Sequence, residues 1–599
     1  MSEYNQSSFV GGMNLLGDDS RLQPTQYRAG FDLTNRYDVL DPVLVSQLDT
    51  NAPTGLKQEL VTFGSYVILF VAGYAYYRLY TDIGWQKIDK FHMDEIAPRY
   101  WTAAIPIATT NYGRMSVPAN VGNIVNGVVD ITTQSTVSTN PVVKTNSIAA
   151  AFAGNLPGLL VQDNINQPEF IFIDTNGYPT TRTIQKYSEW NVTYDLNPTS
   201  STYGQLQVDQ REYVPIGQCM SWVDGVLYIV SQDGNSILRS VSGRPLDFVI
   251  NVDINGQKGG DANSTSYSVG VGGISCIRAS TAGGILVTAS SAIFQVTKNM
   301  TPSAVTEFGE YTFIRTFLFN STNLSDRTII DTLGDTRFID LTGVRSFNAV
   351  AQLQNEGKNS PFTSTIQAAF GSDTTPIVQE SGYSAAILYN NYELYAMQTI
   401  FGPTICKYDT LNSCWTSFDL SQTHGSRVKI FSKIELTIQR LYAITEDNEL
   451  YTLYIGPGVT NAIFRTIGIC STMQYGGSNI KLANPKSQIK LDKTRVILNK
   501  ITEDCNCDFI PYINNRLLED STVTKKITFE EAKPLSNNPT DLPDVNSQLM
   551  NLLYTTTNAG QGWKVFGVFR WTGGSFTQFA MELTDNTPDN PPNSQELTT

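Results

Sequence analysis

Acid–base and nucleophilic chemistry usually begins with histidine, and this chain has two, His92 in "KFHMDE" and His424 in "QTHGSR". A Ser-His-Asp or Cys-His arrangement needs one of them beside a nucleophile and an orienting group. Neither stands in a nucleophile motif, and both read as surface or loop histidines. Glycoside hydrolysis stays open because two carboxylates suffice for it. The 55 Asp and Glu residues offer many pairs and single out none. In "DINGQKGGDAN" (Asp253 to Asn263) the oxygens of Asp253, Asn255 and Asp261 suggest calcium. The spacing and the closing Glu of a calcium loop are missing, and a plain polar loop is the expectation. Cys505 and Cys507 form a C-x-C with no C-x-x-C pair anywhere, so zinc has no support. Gly-rich phosphate cradles are absent. The chain reads as a non-enzyme that needs no cofactor.

The residues that could do chemistry must be positioned by a scaffold, and the composition says which kind. Of 599 residues, 41% are hydrophobic, 11% aromatic and only 16% charged. Abundant Tyr, Phe, Thr, Ser and Asn with little charge favour strands over helices. The length exceeds one ordinary core and implies a large repetitive domain or several domains. A net charge of -14 argues against gripping nucleic acid through its phosphates, which takes clustered Lys and Arg. It is compatible with letting a polyanion slide past an acidic wall. Seven scattered cysteines read as free, mostly buried thiols suited to assembly in a reducing cytoplasm. The start "MSEYNQSSFVGG" is no signal peptide. The longest apolar run, "YVILFVAGYAYY", is too short to span a bilayer as a helix.

Hairpins recur along the chain. "SYVILFVAGYAYYRLYTDIGWQKI" (Ser65 to Ile88) gives three strands around Gly73 and Asp82–Gly84. Val226–Val230 and Ser236–Ser240 flank Asp233–Gly234–Asn235. "GGILVTASSAIFQVT" begins at Gly283. "DTRFIDLTGVRSFN" turns at Gly343, "YSAAILYNNYELYAMQ" at Asn390–Asn391, "TICKYDTLNSCWTSFDL" at Leu411–Asn412 and "QRLYAITEDNELYTLYI" at Glu446–Asn448. "GWKVFGVFRWTGGSFTQFAMEL" (Gly562 to Leu583) predicts a hairpin turning at Gly573–Gly574. Apolar or alternating runs around Gly, Asn or Asp are what hairpins require. Units spaced by roughly 40–50 residues suit four-stranded propeller blades. The expected fold is all-β: a β-propeller with inserted loops or a subdomain, and an additional C-terminal β-sandwich-like domain. The expected layout is an extended N-terminal arm (1–55), a propeller (56–480) interrupted by a protruding insertion near 104–214, a further β-domain (481–585) and a flexible tail (586–599). "TDIGW" and "SQDGN" are faintly similar to the Asp-box turns of sialidases, and neither has the full spacing.

"KSQIKLDKTRVILNK" places Lys486, Lys490, Lys493, Arg495 and Lys500, with Lys481 nearby, on an alternating strand. A solvated face explains them. The sharper expectation is a docking surface for an acidic neighbouring subunit, marked by salt-sensitive assembly.

"MSWVDGVLYIVSQDGNSILRSVSGRPLDF" (Met220 to Phe248) resembles a signature of the tail nozzle proteins of short-tailed bacteriophages, also called tail tubular protein B or tail stabilisation proteins. The matching positions are Leu227, Tyr228, Ser240, Gly243, Pro245, Asp247 and Phe248. "SFVGGMN", with Phe9, Gly11 and Gly12, is similar to the family's opening. The later "YRAGFDLTNRYDVLDPV" has Asp32, Asn35 and Arg36 but lacks the family's Gly after the Arg. The likeness covers about 215–455 best, and the large group of gut phages related to crAssphage is one home it suggests. It implies a structural virion protein, assembled in the host cytoplasm, that forms a hexameric nozzle ring. The ring would sit below the portal and adaptor rings, extend the DNA-ejection channel and anchor tail fibre or plug proteins. Genome DNA would pass without specific binding, and no membrane span is involved. Gly243 and Pro245 would then make a turn and Phe248 would bury its ring between blades. The alternative is a glycan-binding or glycan-cleaving propeller for host attachment.

Overall fold

The structure, a computed structural model, describes residues 2–15, 22–23, 25–35, 38–93, 103–109, 124–125, 128–129, 156–166, 168–174, 176–183, 190–194, 199, 206–210, 214–223, 226–240, 248, 265–268, 273–280, 284–289, 292–299, 312–319, 324–332, 334–347, 362–372, 375–436, 438–470, 488–501, 504–517, 523–528, 550–555, 561–562 and 564–586. Among the described residues the fold is all-β, with short 3-10 turns such as Ser364–Phe370 between strands.

Among the described residues, seven antiparallel sheets follow one another along the larger part of the chain. Sheet I holds Lys57–Phe63, Tyr66–Val71, Tyr74–Leu79 and Gln86–Lys87. Sheet II holds Ala103–Thr109, Leu156–Gln162, Glu169–Ile173 and Pro179–Thr183. Sheet III runs from Gly217–Val223 through Val226–Ser231 and Ser236–Arg239 to Thr265–Ser268. Sheet IV runs from Cys276–Ala279 through Ile285–Ala289 and Ala292–Asn299 to Thr312–Phe319. Sheet V has three described strands, Ile329–Thr332, Asp335–Asp340 and Gly343–Ser346. Sheet VI comprises Ala385–Tyr389, Tyr392–Thr399, Gly402–Asp409 and Cys414–Asp419. Sheet VII comprises Val428–Glu435, Gln439–Thr445 and Leu450–Leu453, and its fourth strand, Gln47–Leu48, comes from near the N-terminus.

Local chemistry explains the tight turns. Ala72–Gly73 and Asn390–Asn391 both take positive φ at the two central positions. That geometry matches the twist of paired strands and favours Gly and Asn. In sheet V the register pairs Asp340 with Gly343, so Leu341–Thr342 makes the turn and Gly343 opens the next strand. The Asp340 carboxylate caps this turn, accepting from the backbone N–H groups of Thr342 (2.8 Å) and Gly343 (3.0 Å).

Apolar side chains join each sheet to its successor. Ile68 and Phe70 of sheet I pack with Leu159 and Ile171 of sheet II. Leu160 and Phe170 pack with Leu227 and Ile229 of sheet III. Val230 packs with Val287 of sheet IV, and Leu286 and Ile293 with Phe338 of sheet V. Ile339 and Val344 share a cluster with Tyr395 and Cys406 of sheet VI. Leu394 and Ile405 pack with Leu441 of sheet VII. Ile430 and Ile444 of sheet VII pack with Leu60 and Leu69 of sheet I.

The stretch at 104–214 divides in two and is not simply an insertion. Ala103–Thr109, Leu156–Gln162, Glu169–Ile173 and Pro179–Thr183 form sheet II, which packs between sheets I and III. A separate small sheet holds Ile124–Val125, Val128–Val129, Leu206–Gln210 and Trp190–Tyr194. Likewise the 1–55 segment is woven into the fold and does not merely lie on it. Ser2–Gln6 pairs with Ser575–Asn586. Ala29–Phe31 lies between Cys414–Asp419 of sheet VI and Ala462–Arg465, linking sheet VI into an 11-stranded sheet.

That long sheet continues through Lys564–Trp571 and Cys505–Ile513. Packed on it is a second sheet built from Ser2–Gln6, Ser575–Asn586, Gln488–Asn499 and Met550–Thr555. The expected Gly573–Gly574 hairpin is corrected here. Lys564–Trp571 and Ser575–Asn586 do not pair with each other; each belongs to a different sheet. Both Gly residues take positive φ and fold the chain from one layer into the other. The reason is the shared apolar face. The Phe569 ring lies 5.2 Å from Phe576 and 5.4 Å from Phe579, and Trp571 lies 5.3 Å from Phe576. Facing layers bury these rings better than one sheet would. The tail at 586–599 lies, but for Asn586, outside the described residues.

Candidate functional site

The signature stretch lands at the joint between sheets II and III. Leu227 is fully buried, Tyr228 nearly so, and Ser240 closes the strand pair. The Leu227 N–H donates to the Ser240 hydroxyl (2.9 Å) and the Ser240 N–H to the Leu227 carbonyl (2.9 Å). Phe248 is buried with Leu160, Phe170, Met220, Leu227 and Ile229. Gly243, Pro245 and Asp247 lie outside the described residues. At the other end of the signature, Phe9 is fully buried. Its ring lies 5.8 Å from Phe464 and 6.1 Å from Phe576. Gly11 and Gly12 fit because a Cβ would not. One on Gly11 would come 2.5 Å from the Thr25 hydroxyl oxygen, and one on Gly12 (φ +66°) 2.5 Å from the Trp415 carbonyl. These residues hold the chain together.

A cavity of 240 Å³ lies where the first strands of the sheets converge. Glu59, Arg278, Asp326, Arg327 and Phe431 are among its walls. Arg327 pairs with Glu59 at 3.0 Å and also donates to the Gln58 carbonyl at 2.9 Å. Arg278 donates to the Asp326 carbonyl at 2.9 Å. Burial pushes the Glu59 carboxyl above its ordinary range, and the Arg327 charge opposes that rise. Nothing in the sequence around "SDRTII" marks Arg327 as Glu59's partner, 268 residues away. The pair ties sheet I to the 3-10 turn that precedes sheet V.

His424 builds no triad among the described residues. His424 Nε2 lies 2.6 Å from the Ser46 hydroxyl, and its ring stacks on Tyr451 at 4.9 Å. Among the described residues no carboxylate pairs with its ring to orient it. His92 stacks on Tyr74 at 4.6 Å. Among the described residues no group of His, Cys, Asp and Glu could hold a metal, and Asp253, Asn255 and Asp261 lie outside them.

On the basic strand, Lys490, Lys493 and Arg495 face outward, and Lys486 lies outside the described residues. Each has a carboxylate of its own chain nearby: Lys490 with Asp492 (3.6 Å), Lys493 with Glu582 (4.0 Å) and Arg495 with Glu582 (2.8 Å). The charge offered to a neighbour is therefore smaller than the sequence suggests. Of the cysteines, Cys219, Cys276, Cys406, Cys505 and Cys507 are buried, and none of these is in a disulfide. Among the described residues no helix is long and apolar enough to cross a membrane.

No family model matches this chain, and no curated protein does. Among solved structures it is similar to the extracellular domain of a one component system from B. thetaiotaomicron, at 12% identity over 90% of this chain and 92% of that one, with a TM-score of 0.24. An exo-beta-1,3-galactanase from Phanerochaete chrysosporium matches at 8% identity over 90% and 99%, with a TM-score of 0.18. An exported protein from Bacteroides fragilis matches at 10% over 48% and 76%, with a TM-score of 0.21. Likeness this slight carries no argument about fold or activity.

Proposed function

We propose that the seven sheets are the blades of one propeller, that the packed C-terminal layers form a sandwich, and that the chain is a structural ring component of a phage tail. In this reading six copies surround the path of the genome below the portal and adaptor. They extend the ejection channel and anchor fibre or plug proteins. One observation carries the reading: each sheet packs on the next, the last packs on the first, and the N-terminal segment supplies the last sheet's fourth strand. A strand borrowed across the join is how a ring of sheets resists opening. The described signature residues Leu227, Tyr228, Ser240 and Phe248 serve packing and hydrogen bonding, which supports a structural role.

The 240 Å³ cavity holds about eight waters at roughly 30 Å³ each. A duplex whose major groove is itself about 12 Å wide does not fit there. Any conduit lies between copies, where six chains of net charge -14 would make an acidic wall that repels phosphates. Lys490, Lys493 and Arg495 remain the candidate contact to a neighbour's acidic surface. Cryo-electron microscopy of the purified full chain tests the reading. Two-dimensional classes should show six-fold annuli with an open centre, their yield falling as salt rises. Particles that stay monomeric at every salt and protein concentration would overturn the self-assembling ring.

A further inference from the structure

A second opening, of 480 Å³, lies where the N-terminal segment, the end of sheet VI and the C-terminal layers meet. Its size is that of a small-molecule site. Asp32, Ser421, Thr460, Asn461 and Arg570 supply its polar walls, and Val459 and Ile463 an apolar floor. Strand register brings them together. Phe31 pairs with Ile463, and Ile463 with Arg570. Ile463 and Arg570 are thus cross-strand neighbours on one face, with Asp32 just past the end of its strand.

The hydrogen bonding is one-sided. Asp32 Oδ1 accepts from the Ser421 N–H (3.0 Å) and hydroxyl (2.6 Å). Its Oδ2 accepts no hydrogen bond from the described residues. The Thr460 hydroxyl donates to the Asp32 carbonyl at 3.1 Å. Ser421 and Thr460 have therefore committed their hydroxyl protons, and although the Ser421 hydroxyl also accepts from the Gln422 amide at 3.4 Å, what the two hydroxyls have left to offer the cleft is acceptor capacity. Opposite them, Arg570 is exposed and makes no ion pair among the described residues. Asp508, beside it in register, lies beyond pairing distance. A ligand must bring several O–H donors for the acceptor wall and one anion for the guanidinium. Inorganic phosphate brings too few donors and no apolar face for Val459 and Ile463. A neutral sugar leaves Arg570 unused.

We propose that this cleft binds an acidic sugar of the uronic acid class. Its carboxylate takes the two-pronged Arg570 fork, its hydroxyls donate to Asp32, Ser421 and Thr460, and its C–H face rests on Val459 and Ile463.

Isothermal titration of the full chain with sodium glucuronate, glucose and acetate tests this. Glucuronate should bind saturably in the millimolar range, with glucose and acetate each at least about tenfold weaker because each satisfies one half of the site. Arg570→Gln, at an exposed and unpaired position that leaves the fold intact, should reduce glucuronate to the level of glucose. Asp32→Asn keeps the acceptor that Ser421 uses and turns the free acceptor into a donor. It should weaken glucuronate and glucose alike. Three results would each overturn the proposal: no saturable glucuronate binding, binding unchanged in Arg570→Gln, or acetate binding as tightly as glucuronate.

Discussion

Replacing Asp32 with Asn should stabilise this protein above pH 6 and leave it unchanged near pH 3.5. Asp32 is 8% exposed, and its carboxyl is raised from 3.8 to about 6. Burial is the largest cause and the charge of Asp419 the next; two hydrogen bonds from Ser421 and the charge of Lys407 oppose them. The sign follows from which state holds the proton. Between pH 3.8 and about 6 the unfolded chain has released this proton while the folded chain keeps it. Folding stability therefore falls as pH rises through that window, by about 1.4 kcal/mol per unit, or about 3 kcal/mol in all. Above the window the loss is constant. Asparagine carries no charge to bury and still accepts from Ser421. It also tolerates the left-handed backbone of position 32 (φ 52°). Asp41 and Glu59 are raised too, but both proteins keep them, so their contributions cancel in the comparison. The assay is thermal melting of both proteins from pH 3.5 to 8. The gap between their melting temperatures should open across pH 4–6 and stay open above. A gap of constant size at every pH would refute the assignment of a buried, proton-holding carboxyl to Asp32.

Other perturbations test the packing and the thiols. Phe248→Ala removes a ring from the joint between sheets II and III and should cost about 3–5 kcal/mol; an unchanged melting transition would show that the ring carries no packing. Gly12→Ala meets both a positive φ and the Trp415 carbonyl, and should destabilise by more than about 1 kcal/mol. Gly64→Ala, with open space around its Cβ position, should be the milder change in the same melting assay. Burial pushes the Cys414 thiol up to about 11 and those of Cys276 and Cys507 up to about 12, so Ellman's reagent at pH 8 should react slowly with native protein and fully in denaturant, Cys414 leading among these three. Ser46 should stay unlabelled by an organofluorophosphate, read by intact mass, because no carboxylate orients His424; stoichiometric labelling would reveal an activated serine.

Much of the local structure was legible because it depends on residues a few positions apart. Ala72–Gly73, Asp233–Asn235 and Asn390–Asn391 announce tight turns through the backbone angles Gly and Asn tolerate. Period-2 alternation in Gln488–Asn499 announces a half-buried strand, and its outward cations could be read directly. The same local rule misled at Gly573–Gly574. Two alternating strands around a Gly pair suit a hairpin or a fold between layers equally well, and only the partners across the core decide. The cleft at Asp32 and the Glu59–Arg327 pair left no local trace for the same reason. Their members are brought together by strands far apart in sequence.

The sequence by itself determined the all-β class and the strand-and-turn rhythm, because composition, alternation and turn chemistry act within one hairpin. Tertiary structure decided the rest. It seated Ser2–Gln6 beside Ser575–Asn586, gave Gln47–Leu48 to sheet VII, placed sheet II between sheets I and III, and set Glu582 beside Lys493 and Arg495. Strands of two to five residues carry too little pattern to name a partner hundreds of residues away. That choice is made by the apolar area buried when the whole molecule closes, and it appears only once every other strand is in place.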